Sequence, residues 1–292
     1  MFRSELLKGK RILVTGGGTG LGREIADKYL ELDASVYLCG RRQHVLDETA
    51  AALTAKHGGS AKTRAVDIRD AAAVDAMAQW IWDDGGPLDG LVNNAAGNFI
   101  SRTEDLSARG FDAIANIVLH GTFYVTQAVG KRWIAGGHKG SVVSILVTWI
   151  WTGSPYVVPS AMAKAGVHVM TQSLAVEWAR HGIRLNAIAP GPFPVESTGA
   201  RLSPGQTVEE RAAGKNPTGR IGRMDELQNL AVFLMADGCE WLTGQTIALD
   251  GAGYLTGAGS FYDLRGWTTA DWQRARELIK AQDGKDKAQP SA

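Results

Sequence analysis

The chain has 292 residues, 45% of them hydrophobic, which suffices for one sizeable core, and no shift in composition divides it. Its 31 Lys and Arg residues against 30 Asp and Glu leave a net charge of +1, spread in mixed sign, so no basic stripe argues for nucleic acid. The two cysteines, Cys39 and Cys239, stand far apart and exclude a disulfide framework or a paired-thiol metal site; no metal is expected.

The first strand, Arg11-Ile12-Leu13-Val14-Thr15, runs into Gly16-Gly17-Gly18-Thr19-Gly20-Leu21-Gly22, and a helix is predicted over residues 23–32. Strand, glycine-rich turn and helix in that order let backbone approach a pyrophosphate and aim helix amides at its charge. The spacing, Gly16-x3-Gly20-x-Gly22, is a variant of the G-x-G-x-x-G fingerprint. A second strand, residues 35–39, ends at Gly40-Arg41-Arg42, where a dinucleotide fold meets the adenosine ribose. No carboxylate stands there to bond a 2′-hydroxyl. Arg41 and Arg42 offer charged donors that match a 2′-phosphate, so NADP is expected over NAD.

Further strands are predicted at 61–66, 88–93, 140–145, 184–189 and 246–249. Helices are predicted at 42–57, 70–82, 107–134, 158–180 and 224–236, each with apolar positions three and four apart. That alternation demands right-handed parallel crossovers, hence an α/β fold with a doubly wound parallel sheet, Rossmann-type, in a single domain over residues 1–266. Ligands should then meet it at the carboxyl ends of the strands. Residues 193–223, rich in Gly, Pro, Ser and charge, read as a substrate lid. Residues 267–292 read as a C-terminal helix and a disordered tail.

The first strand begins at Arg11, no apolar run reaches membrane-spanning length, and Gln289-Pro290-Ser291-Ala292 is not a peroxisomal address. A cytoplasmic location and no membrane span are expected.

The chemistry concentrates in Val158-Pro159-Ser160-Ala161-Met162-Ala163-Lys164. Ser160 and Lys164, four apart, share one helix face. A carbonyl reductase of the short-chain type would have a tyrosine where Ser160 stands, and a serine hydroxyl is a poor proton donor to an alkoxide at neutral pH. Tyr156, eight residues before the lysine, is the substitute acid if the reaction is carbonyl reduction.

Residues at the predicted strand ends complete the pattern: Val66-Asp67, Asn93-Asn94-Ala95-Ala96-Gly97-Asn98, Ser144 and Pro190-Gly191-Pro192. With them the chain resembles the short-chain dehydrogenase/reductase family from Lys8 to Tyr254. Within it the chain is most similar to the 2,4-dienoyl-CoA reductases, through Gly97-Asn98-Phe99-Ile100-Ser101, Val157-Val158-Pro159-Ser160-Ala161, Pro190-Gly191-Pro192 and Gly259-Ser260-Phe261-Tyr262-Asp263-Leu264. Those enzymes have a serine at the position of Ser160.

The resemblance implies NADPH-dependent reduction of an unsaturated acyl-CoA thioester, with hydride added to the far carbon of the conjugated system and the dienolate protonated beside the carbonyl. It places Lys164 on the nicotinamide ribose, Ser160 beside it, and Asn98 on the thioester oxygen. Gly16, Thr19, Gly20, Leu21 and Gly22 would hold pyrophosphate, with Asp67 and Ile68 at adenine and Asn94, Ala95, Ala96, Pro190 and Gly191 along the rest of the cofactor. Phe99 and Tyr156 would face substrate, and Arg201, Arg220 and Arg223 would meet CoA phosphates. Such enzymes pair their long helices between subunits, so a homotetramer is expected, with a dimer as the fallback.

Two positions depart from the pattern. Trp149 stands where mitochondrial-type dienoyl reductases have a tyrosine, and an indole donates one hydrogen bond but has no titratable proton. His120 stands where the wider family has an asparagine. Plain alternatives remain open: Asn98 as a turn residue, Asp67 as a helix N-cap, and Trp149, Trp151 and Tyr156 as an ordinary apolar wall. Two other functions also remain open, a carbonyl or alcohol oxidoreductase using Tyr156 and a non-catalytic NADP-binding protein.

Overall fold

The computed structural model describes residues 1–195, 215–257 and 261–288. In chain order these form β1 (Arg11–Thr15), α1 (Gly20–Glu31), β2 (Ser35–Gly40), α2 (Gln43–His57), β3 (Ala61–Ala65), α3 (Ala71–Gly85), β4 (Gly90–Asn93), α4 (Ala108–Ala115) and α5 (Thr122–Gly136). There follow β5 (Gly140–Ile145), α6 (Trp149–Thr152), α7 (Val158–Trp178), β6 (Ile183–Pro190), α8 (Met224–Met235), β7 (Thr246–Leu249) and α9 (Thr269–Ala288). The strands make one seven-stranded sheet in the order β3-β2-β1-β4-β5-β6-β7, every pair parallel. The order reverses between β1 and β4, and such a switch point opens a crevice at the strand ends.

Two-residue periodicity sorts the core into two layers. Ile12, Val14, Val36, Leu38, Val143 and Ile188 point to the face that buries Ile25, Tyr29, Leu46 and Leu227. Leu13, Tyr37, Cys39, Leu91, Val142 and Leu185 point to the other, against Met77, Ile81, Val129 and Trp133. With helices on both faces the inner strands find apolar neighbours on either side, which is why β4 and β6 are buried along their whole length. Each fully buried aliphatic side chain contributes about 1.5–3 kcal/mol. The edge strand β3 instead carries Lys62 and Arg64, charges that discourage pairing with another sheet.

Three local differences from the predicted elements bear on the site. Helix α1 begins at Gly20 rather than at residue 23, so the glycine-rich turn itself supplies the first helix amides. The long helix predicted over 107–134 is α4 and α5 joined by a π-helical turn at Asn116–Gly121. A Cβ on Gly121 would lie 2.6 Å from Ile68 Cγ1, so the widened turn and the missing side chain together let this backbone rest on the loop after β3. The N-cap of α3 is Asp70, whose side chain accepts from the Ala72 and Ala73 amides, so Asp67 is not spent on that role.

The chain divides into two compact units, 1–253 and 254–292. In the second, Trp267 and Trp272 meet edge to face with ring centres 4.9 Å apart, and α9 continues to Ala288. Among the described residues no helix is long and apolar enough to cross a membrane, and no group of His, Cys, Asp and Glu could hold a metal ion.

Candidate active site

A cleft of about 400 Å³ opens along the carboxyl ends of the strands. Its floor starts at the turn after β1. Gly16 and Gly20 have φ of +64° and +57°, backbone that side chains rarely adopt, and a Cβ on Gly16 would stand 2.9 Å from Ala95 Cα. Gly22 is closed off by the far wall, since a Cβ there would meet Asn94 Nδ2 at 2.4 Å and Gly16 O at 2.6 Å. It shapes the turn without lining the cleft.

Thr15 locks this turn to β4. Its Oγ1 accepts from the Asn94 and Ala95 amides, both at 3.0 Å, and donates to Val92 O at 3.2 Å. Asn94 Nδ2 returns bonds to Thr15 O and Gly16 O at 3.0 and 3.2 Å. These bonds bridge the switch point and leave Gly16, Thr19, Gly20 and Leu21 facing Asn94, Ala95 and Ala96 across the cleft. In sequence Thr15 ends the strand and opens the glycine motif; the role of its hydroxyl is set by Asn94 and Ala95, which follow much later in the chain.

At one end Arg41 and Arg42 line the cleft, both exposed and in no ion pair among the described residues. Asp67 and Ile68 line it beside them, and the Arg69 guanidinium, with a smaller effect from Arg41, holds the Asp67 carboxyl below its usual range. This end thus carries two free cations, and its one carboxylate is already bonded to Arg69 at 2.5–3.0 Å.

At the other end Asn98, Trp149, Ser160 and Lys164 line the same cleft with Ile117, Leu146, Val147 and Val195. Helix α7 opens with Pro159 in its first turn, which its missing N–H suits, and brings Ser160 and Lys164 inward one turn apart. The Lys164 ammonium donates to the carbonyl of Ile145 at the end of β5, and burial pulls its pKa down to about 8. Asn98 Oδ1 accepts from the Phe99 amide at 2.9 Å, which leaves the Nδ2 hydrogens as its donors. Trp149 is the first residue of α6 and half-buried.

The remaining sequence-predicted residues fall elsewhere. Phe99 packs on Ile114, Val118 and Ala163 beside the cleft. Tyr156 is 58% exposed and absent from the cleft wall, with its carbonyl accepting from the Ser101 amide. Pro190 lines the cleft, whereas Gly191 lies against Asp250, whose Cβ would be 2.7 Å from a Cβ on the glycine. Arg220 is held by Glu226 at 2.7 and 2.9 Å in a separate recess of about 190 Å³, and that contact lowers the Glu226 pKa to about 2. His120 is exposed and bonds Asn116 Oδ1 at 2.9 Å. Arg201, most of the 193–223 segment, and Gly259 and Ser260 lie outside the described residues.

A glycine turn in which Gly16, Gly17 and Gly22 have no room for a Cβ, helix amides at its rim and two unpaired arginines fit a dinucleotide, and the fold is that of a nicotinamide-dependent oxidoreductase. Residues 16–254 match the family described as enoyl-(acyl carrier protein) reductase. The chain is 41% identical to the Caenorhabditis elegans protein named "Probable 2,4-dienoyl-CoA reductase decr-1.2 [(3E)-enoyl-CoA-producing]", over 99% of this chain and 95% of that protein. It is 38% identical to a Bacillus subtilis protein named "Probable 2,4-dienoyl-CoA reductase [(2E)-enoyl-CoA-producing]", over 84% of this chain and 97% of that one. A solved gluconate 5-dehydrogenase from Burkholderia cenocepacia, in complex with NADP and tartrate, superposes with a TM-score of 0.79 at 30% identity, covering 85% of this chain and 96% of its own. The chain belongs to the short-chain dehydrogenase/reductase family, on the branch that resembles the 2,4-dienoyl-CoA reductases.

Proposed function

We infer that the protein is an NADPH-dependent reductase of 2,4-dienoyl-CoA thioesters. The observation that carries this reading is that Asn98, Trp149, Ser160 and Lys164 line one cleft, with serine where a carbonyl reductase needs its phenol. Bound NADPH would supply hydride to the far carbon of the diene, and negative charge would then collect on the thioester oxygen. Asn98 Nδ2 and the Trp149 indole N–H donate to that oxygen. Lys164 would hold the nicotinamide ribose and contribute positive charge, with Ser160 orienting it. Protonation by water at the carbon beside the carbonyl would complete the 3-enoyl thioester. Donors aimed where charge develops stabilise the transition state more than the bound substrate.

Tyr156, exposed and off the cleft wall, makes the carbonyl-reducing alternative the weaker one. NADPH oxidation measured against 2,4-dienoyl, 2-enoyl and 3-oxoacyl thioesters tests the reading. Turnover confined to the 3-oxoacyl substrate would transfer the protein to the carbonyl class, and no turnover on any of them to the non-catalytic one.

Cofactor choice follows from Arg41 and Arg42. NADPH should bind more tightly than NADH. The Arg41→Ala, Arg42→Ala double variant should lose most of that preference, about tenfold or more, because each charge-assisted bond contributes about 1.5–3 kcal/mol. Equal affinities for the two cofactors in the intact protein, read by calorimetry, would exclude this role.

We further expect a homotetramer. Met162, Val169 and Val176 recur every seventh residue along α7 and are 56%, 57% and 83% exposed, an apolar stripe suited to a second copy. A monomeric mass by light scattering at micromolar concentration would rule this out.

A further inference from the structure

His168 lies one helical turn beyond Lys164 on α7 and takes no part in the chemistry above. Its ring is half-buried, and burial holds its pKa below the ordinary value. Nδ1 pairs with the Thr246 hydroxyl of β7 at 2.9 Å, and the ring meets Trp151 edge to face, with centres 6.4 Å apart and planes at 73°. Three elements, α6, α7 and β7, are thereby joined through one imidazole.

The consequence falls on α6. Four residues cannot hold a helix by themselves, because nucleation costs more than one hydrogen bond returns. Gly153 N donates to Trp149 O at 2.9 Å to close the turn. The orientation of that turn has to come from what it packs against: Ile150 rests on the small core of Leu146, Val167, Ala187 and Ala189, and Trp151 meets His168 of α7. Trp149 is two residues before Trp151 in the same turn and is the residue that reaches the cleft.

We propose that His168 is a positioning residue for the reaction: steadied by Thr246, its ring backs Trp151 and so sets the angle at which Trp149 enters the cleft. The inference rests on the reading of Trp149 as a donor to the thioester oxygen. An N–H donor loses strength steeply as its angle opens. A displacement of about 1 Å at a reacting centre costs about 10²-fold in rate, and loosening one backing contact should cost part of that.

Steady-state turnover of a 2,4-dienoyl thioester, with NADPH affinity measured alongside, is compared for His168→Ala, His168→Phe, Trp149→Phe and the Trp149→Phe, His168→Ala double variant. His168→Ala should lower kcat about tenfold with NADPH affinity unchanged, and His168→Phe, which keeps an aromatic edge against Trp151, should recover about half of the loss. In the Trp149→Phe background His168→Ala should change kcat by less than about twofold, since the donor it positions is already gone. The same tenfold loss in both backgrounds, a fall in NADPH affinity, a phenylalanine no better than alanine, or wild-type turnover in His168→Ala would each overturn the positioning role. If Trp149→Phe by itself turns over like the wild type, the donor reading fails and takes this inference with it. If Trp149→Phe is slow and His168→Ala is not, the donor reading stands and the positioning role alone is lost.

Discussion

Lys164→Ala is expected to lower turnover on a dienoyl thioester by about 10²–10³-fold, the scale of losing a charge or donor fixed at the reacting centre. NADPH affinity should fall too, because the same ammonium is proposed to hold the nicotinamide ribose. Ser160→Ala should cost less, since that hydroxyl orients the lysine and is no acid itself. The Lys164 pKa adds a pH signature. Burial lowers it to about 8, so the cation dominates at neutral pH and is lost as pH rises through about 8. Turnover should therefore decline on the alkaline side, and the decline should vanish in Lys164→Ala. The stability effect has the opposite sign: an unfolded lysine keeps its proton up to its ordinary pKa near 10.5, so between about 8 and 10.5 the unfolded state binds more protons and stability rises with pH. Wild-type turnover without the lysine would show that the proposed chemistry does not operate here.

Trp149→Phe is expected to cost about 10²-fold in kcat while leaving NADPH affinity nearly unchanged, because it deletes one hydrogen-bond donor and keeps an aromatic ring. Trp149→Tyr restores a donor and should keep or raise turnover. The split between kcat and cofactor affinity is the informative part, since a general loosening of the cleft would move both. Intact dienoyl turnover in Trp149→Phe, together with loss of ketone reduction in Tyr156→Phe, would replace the dienoyl reading with the carbonyl one.

Sequence periodicity located the elements well where a run of apolar residues is bounded by turn formers. β1, β5 and β7 have the bounds read from the sequence alone. It failed at residues 107–134, where the pattern is continuous while the π-helical turn sits where Gly121 meets Ile68, a contact invisible to a local pattern. The cofactor half of the site was legible because its requirements are backbone requirements. Glycine at Gly16 and Gly20 answers to positive φ and close approach, both written in residue type. The substrate half depends on side-chain direction, and there the chain alone could not say whether Trp149, Tyr156 or Arg220 faces the cleft.

Sequence by itself determined the doubly wound sheet, the glycine turn, the paired arginines after β2 and the one-turn spacing of Ser160 and Lys164, because each follows from local backbone preference or helical geometry. Tertiary structure alone decided that Lys164 is desolvated and bonded to Ile145, that Trp149 reaches the cleft while Tyr156 does not, and that Arg220 is spent on Glu226. A side chain's charge state and partner depend on the field and packing of whatever surrounds it. In this fold most of those neighbours come from other strands and helices, which no local stretch of sequence records.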